Sequence, residues 1–254
     1  MKGFCPLASG SKGNSIYFGS EETKILIDAG LSGRATKRRL EEIELEIEEI
    51  EAILITHDHT DHTAGLKMLA LKHNIPILAN AETAKGIYAQ LRECPKFHIF
   101  TTGETFHFKD LTIHPFSIQH DTPDPVAFTI ETEDLKMGFC TDLGFPSTLV
   151  KSQLKNCDYL YVEANHEPHM VHACSRPMVY KQRVLSRSGH LSNEACAELL
   201  SEIVHDELKH IYLAHLSQEC NTPERALETV HKRIGDKIKI SIAHQDVNSE
   251  PTHF

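Results

Sequence analysis

The sequence predicts an α/β protein, a four-layer αββα sandwich in which two mixed sheets lie face to face with helices outside. Three observations carry this. Short apolar runs of strand length recur along the chain, the first half is strand-rich with early hairpins, and the second half alternates strand-like with helix-like segments. Two sheets covered on both sides by helices bury the apolar faces of every element. No internal repeat, low-complexity tract or linker interrupts the 254 residues, so a single domain over 1–254 is expected.

The strand-like runs lie at 16–18, 24–28, 52–56, 75–79, 111–118, 126–131, 135–141, 158–163, 210–215 and 237–242. The spacing of Leu40, Ile43, Ile47 and Ile50 predicts a helix over 34–46, and the acidic run 41–51 is read as its solvated face. A second helix is expected over 61–73, with Leu66, Leu69 and Ala70 facing inward. A third, over 193–205, follows Ser192 as N-cap and buries Leu199, Leu200, Ile203 and Val204. A fourth, over 222–234, opens with Thr-Pro-Glu, an N-cap followed by proline at the first helical position.

Apolar residues make up 40% and charged residues 24%, the balance of a soluble globular chain. The net charge of −10 argues against a binder of nucleic acid over its whole surface, although a local basic patch remains compatible. Seven scattered cysteines without a Cys-x-x-Cys pair argue against a disulfide framework and for a reducing, cytoplasmic compartment. The N-terminus lacks the apolar stretch of a signal peptide, and no apolar run is long enough to span a membrane. No oligomeric state is legible.

The stretch ITHDHTDHTAG concentrates His57, His59, Asp61 and His62 at a strand-to-helix corner. Alternate strand-end residues project to one side, so His57 and His59 point together, and the following turn brings Asp61 and His62 to a neighbouring point. Imidazole and carboxylate suit Zn, Mn or Fe, and four such groups can serve two adjacent cations. The competing reading is a polar loop or helix cap. Two cations need more ligands, and three apolar strands end in suitable ones: His120 after 111–118, Asp142 after MGFCT, and His215 after IYLA. Each taken singly also reads as a turn histidine or a capping aspartate.

Together these residues form H-x-H-x-D-H … H … D … H, a pattern that resembles the metallo-β-lactamase superfamily over nearly the whole chain. The family's first motif, an aspartate after a strand, is matched by LIDAG at Asp28. His114 lies near the third motif, and His120 is preferred because HDTPDPVAF opens the next strand. LASGSKGNS, ILIDAGLSGR, YVEANHE, GHLSNEA and IYLAHLS further resemble the YycJ/WalJ-type branch, allied to nuclease-like members such as RNase Z and RNase J.

The resemblance implies two divalent transition-metal ions (Zn, Mn or Fe). His57, His59 and His120 would bind one, Asp61, His62 and His215 the other, and Asp142 would bridge them. Metal binding lowers the pKa of water to about 7, so hydroxide is available to attack phosphorus or a carbonyl. Asp28 is expected to orient a ligand through a hydrogen bond. His190, in GHLSNEACAEL, resembles the histidine of the RNase Z HSTA-like motif and would donate a proton or hold phosphate, with Glu163 tuning it. Asp61, His190 and Glu163 are the candidate catalytic residues. The alternative for the last two is a capping histidine and a surface glutamate.

The loop 10–15 (GSKGNS), with Ser11 and Asn14, can offer N–H groups to an anionic substrate, and a tight hairpin explains it equally well. The segment 176–187 (RPMVYKQRVLSR) carries Arg176, Lys181, Arg183 and Arg187 with no acidic residue. Arg183 and Arg187 are four apart, so they are expected to share a helix face that binds a polyanion, or else to pair with surface carboxylates. The leading functional expectation is a dinuclear-metal phosphodiesterase, an exonuclease-like nuclease with DNA or RNA as substrate and no membrane partner. The alternative is a metallohydrolase of a small thioester, lactone or cyclic phosphodiester, which the acidic net charge favours. A metal-binding regulator without turnover is a third class, and the complete ligand set argues against it.

Overall fold

The apolar runs become strands in the structure, a computed structural model that describes residues 1–254. The strands are β1 (Gly3–Ala8), β2 (Ser15–Gly19), β3 (Lys24–Ile27), β4 (Ala52–Leu54), β5 (Ile77–Asn80), β6 (Phe97–Phe100), β7 (Phe106–Phe108), β8 (Leu111–Ser117), β9 (Val126–Glu131), β10 (Lys136–Cys140), β11 (Tyr159–Glu163), β12 (His210–Ala214), β13 (Lys239–Ile242) and β14 (Thr252–His253). The α-helices are α1 (Gly33–Glu41), α2 (Thr60–Thr63), α3 (Ala81–Leu91), α4 (Thr148–Leu154), α5 (Pro168–Ala173), α6 (Met178–Val184), α7 (Asn193–Ile203) and α8 (Pro223–Ile234). The strands form two mixed seven-stranded sheets with helices around them, the fold class predicted. No helix is long and apolar enough to cross a membrane.

Contacts group the chain into two compact units, the first being 1–113, 122–126 and 244–254, the second 114–121 and 127–243. In the first, the sheet order is β14-β1-β2-β3-β4-β5-β6. β1, β2 and β3 are antiparallel neighbours, and β3 to β6 run parallel. Of these, β3 to β5 read as near-continuous apolar runs because they are buried on both faces, whereas β6 at the sheet's edge is largely exposed. Leu26, Ile53 and Ile77 pack with Leu40, Leu66, Leu69 and Ile87.

Two helix expectations in this unit need correction. The helix expected over 34–46 ends at Glu41, and the acidic run is not helical throughout. Glu44 takes a left-handed φ of 61°, Leu45 N bonds back to Leu40 O at 3.0 Å, and only a 3-10 turn, Ile47–Glu49, follows. The apolar spacing still buries Leu45, Ile47 and Ile50, through a turn rather than a helix face. The helix expected over 61–73 is broken into the single turn α2 and a π-helical stretch, Lys67–Lys72. The helical bond from residue 65 to residue 61 is not made. Asp61 O instead accepts Asn14 N at 2.7 Å, and Gly65 N donates to Ala29 O at 2.7 Å. These exchanges tie the His-rich corner to the loops after β1 and β3.

In the second sheet the order is β13-β12-β11-β10-β9-β8-β7, with β10 to β13 parallel. The unit's core joins Leu160, Val162, Ile211 and Leu213 of the central strands to Leu199, Leu200 and Ile203 of α7 and Ala226 and Val230 of α8. Both expected caps are present: Ser192 Oγ accepts Ala195 N at 3.2 Å, and Thr222 Oγ1 accepts Arg225 N at 3.3 Å. Helix α7 stops at Ile203, two residues short of expectation, where Val204 turns extended.

Candidate active site

Parallel strands gather loops at their carboxyl ends, and that is where ligands meet α/β sheets. Asp28 follows β3, Asp142 follows β10, Glu163 ends β11 and His215 follows β12. Asp28, Asp142 and His215 hold left-handed φ values of 59°, 56° and 54°. Such conformations are costly for residues other than glycine and persist where the surroundings over-determine them, often at functional sites.

In the first unit Asp28 is the anchor. Its buried carboxylate accepts Thr56 N at 2.9 Å, lies 3.0 Å from Thr56 Oγ1 and meets His62 Nδ1 at 2.8 Å. Thr56 Oγ1, having donated its proton to Asp28, accepts from His57 Nδ1 at 3.0 Å. Both histidines therefore present Nε2 with its lone pair. The ring centroid of His57 lies 4.7 Å from that of His59 and 4.1 Å from that of His62, and Asp61 Oδ2 is 3.6 Å from His62 Nε2. Thr56 is not among the site residues expected from sequence. Its only signal is its place immediately before the histidine run.

In the second unit Glu163 is the anchor. It is fully buried, which removes the surface-glutamate reading. Oε1 meets His190 Nδ1 at 2.8 Å and His215 Nδ1 at 2.9 Å, while Oε2 accepts Leu143 N at 2.8 Å and Leu191 N at 3.0 Å. Burial alone would raise its pKa, but the two histidines, His190 first, more than offset this and hold the carboxyl at about 2. Asp142 Oδ1 is 3.2 Å from His215 Nδ1 and 3.8 Å from both His190 Nδ1 and His120 Nε2. Ligand atoms of Asp142, Glu163, His190 and His215 all lie within 4.8 Å of one another. Asn165 Nδ2 donates to His215 O at 2.7 Å and fixes the left-handed residue. His120 Nδ1 meets Gly189 O at 3.1 Å, and burial pushes its pKa down despite the nearby Asp142. His114 is half-buried within β8, its ring against Phe116.

These contacts fit a metal site. His57, His62, His120 and His215 each engage Nδ1 with an oxygen. With the proton on Nδ1 the lone pair lies on Nε2, the usual arrangement of a metal-binding histidine, and at His62 that lone pair faces Asn14 Nδ2 at 3.0 Å. Imidazole with carboxylate is a donor set for divalent transition metals.

The loop 10–15 and the basic segment differ from expectation in their local geometry. In the loop 10–15 four N–H groups have partners within the protein: Gly10 N goes to Asn14 Oδ1, Lys12 N to Gln245 Oε1, Gly13 N to Gly10 O and Asn14 N to Asp61 O. Asn14 is buried, with Nδ2 3.0 Å from His62 Nε2 and 3.3 Å from Asp61 Oδ2, so it steadies the His-rich corner, whereas Ser11 stays exposed in the turn. Arg183 and Arg187 do not share a helix face. Helix α6 ends at Val184, and Arg187 lies beyond it with its guanidinium 3.9 Å from the Phe145 ring centroid. Arg183 Nε bonds Asp121 at 2.5 Å, and Arg176 pairs with Glu219.

A buried carboxylate joining two histidines, beside an aspartate at a strand's end, is a group of side chains that could hold a metal ion. The description Beta-lactamase superfamily domain matches residues 23–215. Exodeoxyribonuclease YycJ of Bacillus anthracis is 38% identical over 237 residues, covering 92% of this chain and 89% of that one. Exodeoxyribonuclease WalJ of Streptococcus pneumoniae is 38% identical over 228 residues, covering 88% and 85%. Among solved structures, the metallo-β-lactamase fold protein YhfI from Bacillus subtilis superposes with a TM-score of 0.74 at 14% identity, covering 97% of this chain and 98% of that one. The chain belongs to the metallo-β-lactamase superfamily, in the branch of the YycJ and WalJ proteins.

Proposed function

We propose that this protein is a metal-dependent phosphodiesterase that works as an exonuclease on DNA. The carrying observation is the set built on Glu163, in which one carboxylate oxygen orients both His190 and His215. One group thereby positions a proton donor and a metal ligand together. The 38% identity to proteins named exodeoxyribonucleases supports DNA over RNA and over a small ester. In this reading residues 1–254 work as one domain. His57, His59 and His120 would hold one divalent ion and Asp61, His62 and His215 a second, Asp142 would serve both, and Zn, Mn and Fe all suit the donors. Bound metal supplies Lewis-acid activation of water and phosphate. The chain's own groups do the rest. Asp28 and Thr56 orient His62 and His57, and Asp142 and His120 flank His190. His190, steadied through Nδ1 by the ionised Glu163, uses its other nitrogen to protonate the departing oxygen. Seven free cysteines support a reducing, cytoplasmic setting.

The test is digestion of labelled single- and double-stranded DNA and RNA by metal-stripped protein with Mn, Zn or Mg restored. Stepwise loss of DNA ends is the expected result. Thioester hydrolysis without nucleic-acid cleavage would replace this reading with the small-ester one. Purified protein should carry up to two transition-metal ions per chain, and Asp142→Ala should lose at least one. Full occupancy in that variant, measured by elemental analysis, would refute the shared role.

The basic segment gives a separate expectation. Replacing Arg183 and Arg187 together by alanine should weaken oligonucleotide binding and flatten its dependence on salt by about one unit of slope for each phosphate no longer neutralised. An unchanged slope would leave both residues as structural partners of Asp121 and Phe145.

A further inference from the structure

Beside His190 the second unit holds a cavity of about 370 Å³ whose lining includes Phe145, His166, Leu185, His190, Leu191 and Ser192. That volume lies in the usual range for small-ligand sites, about 300–1,000 Å³. The backbone leading into Phe145 is closely packed. A Cβ on Gly144 would meet Arg187 O at 2.4 Å, so the Phe145 loop lies directly against the turn before His190. The Arg187 guanidinium covers one face of the ring at 3.9 Å.

His166 is 2% exposed, and its buried Nδ1 makes no hydrogen bond. Its backbone cannot drift to find one, because Asn193 N donates to His166 O at 3.0 Å and the residue bridges to Ser192. A buried polar atom left without a partner is costly, and His166 belongs to the cavity's lining, where a small side-chain shift would offer that nitrogen to a ligand. At the rim Lys151 is paired with Glu202 at 2.6 Å and Glu198 is exposed. One lysine, already paired, and one glutamate leave the lining with little net charge. An aromatic face, an unused hydrogen-bonding nitrogen and little net charge match a neutral heteroaromatic ring.

We propose that this cavity receives the nucleobase next to the phosphodiester being cut, stacked on Phe145 with one polar edge on His166; this rests on the nuclease reading above. Stacking accepts any base, because every base has a π-face. Burial holds the His166 pKa at about 4, so the neutral ring can donate or accept according to tautomer. The site favours no particular sequence.

The test uses 2-aminopurine mononucleotide, whose fluorescence falls on stacking. Wild-type protein should quench it, Phe145→Ala and His166→Ala should each weaken binding about tenfold, and Phe145→Tyr should retain it. In cleavage, an abasic nucleotide at the cut site should raise KM about tenfold for wild type, and Phe145→Ala should add nothing further. Quenching that is equal in wild type and both alanine variants, or abasic and Phe145→Ala losses that multiply, overturns the proposal. DNA cleavage with an unaltered abasic KM overturns it and leaves the nuclease reading standing. Phe145-dependent quenching without cleavage of DNA or RNA supports the base site and overturns the nuclease reading.

Discussion

Alanine in place of His190 is expected to slow phosphodiester cleavage about 10²–10⁴-fold and to leave the metal content unchanged. His190 is 16% exposed on its side chain and anchored through Nδ1 to Glu163 at 2.8 Å, so its second nitrogen is the one a substrate can reach. The backbone carries it rigidly: His190 N donates to Val184 O at 3.1 Å, and Leu191 N to Glu163 at 3.0 Å. A donor held this way acts on the leaving oxygen in the transition state, so kcat should fall more than binding. A nitrophenyl phosphodiester, whose leaving group needs little protonation, should suffer less than DNA. Its side chain also lies among groups able to ligate a metal. Elemental analysis of the variant decides between these roles. Loss of an ion would make His190 a ligand, and wild-type rates on both substrates would reduce it to a helix-preceding residue.

The parts of this site that a sequence can show are those written in local order. Asp28, Asp142 and His215 each follow an apolar strand, and the strand's end dictates where the side chain is delivered. Ser192 and Thr222 announce their helices because capping is a matter of three or four consecutive residues. What joins these pieces is non-local. Nothing near Glu163 in the chain says that its oxygens receive groups from residues 143, 190, 191 and 215, and Thr56 looks like an ordinary strand residue until Asp28 closes on it. Helix α2 departs from periodicity where a tertiary bond overrides it, at Gly65, and helix α1 where Glu44 turns left-handed and local bonds close the helix end. Four strands are not legible in the sequence, for physical reasons. β1 contains Pro6, which strands disfavour, β6 and β7 (FHIF and FHF) mix histidine with aromatics at exposed positions, and β14 has two residues. Helix α3 is obscured partly by Gly86, which is a poor helix former. A Cβ there would meet Asp58 Oδ2 at 2.0 Å, so a glycine lets the aspartate of the His-rich corner seat on the helix.

Glutamine in place of Glu163 is expected to weaken metal binding about 10–100-fold, the usual cost of disturbing a carboxylate behind a ligating histidine, and to depress cleavage with it. Hydrogen-bond sense sets this cost. In the wild type all four partners, His190 Nδ1, His215 Nδ1, Leu143 N and Leu191 N, donate to the carboxylate. Glutamine keeps the shape but turns one oxygen into a donor. If its amide faces Leu143 N and Leu191 N, donors confront donors, because a backbone N–H cannot reverse. If it faces the histidines, they must accept at Nδ1 and move their protons to Nε2, and His215 then loses the lone pair a metal needs. Either arrangement costs something, and the second is cheaper because imidazole can change tautomer. The variant should therefore fold with a modestly lower Tm while titrating metal more weakly, and raised metal should restore cleavage only in part, since His190 has lost its ionised partner. Glu163→Ala should be worse, leaving buried donors unmatched at a cost of about 3–5 kcal/mol. Metal titration and thermal melting of both variants test this together. Wild-type metal affinity in Glu163→Gln would show that His215 does not depend on Glu163 for its tautomer, and the coupling of proton donor to metal ligand through one carboxylate would be wrong.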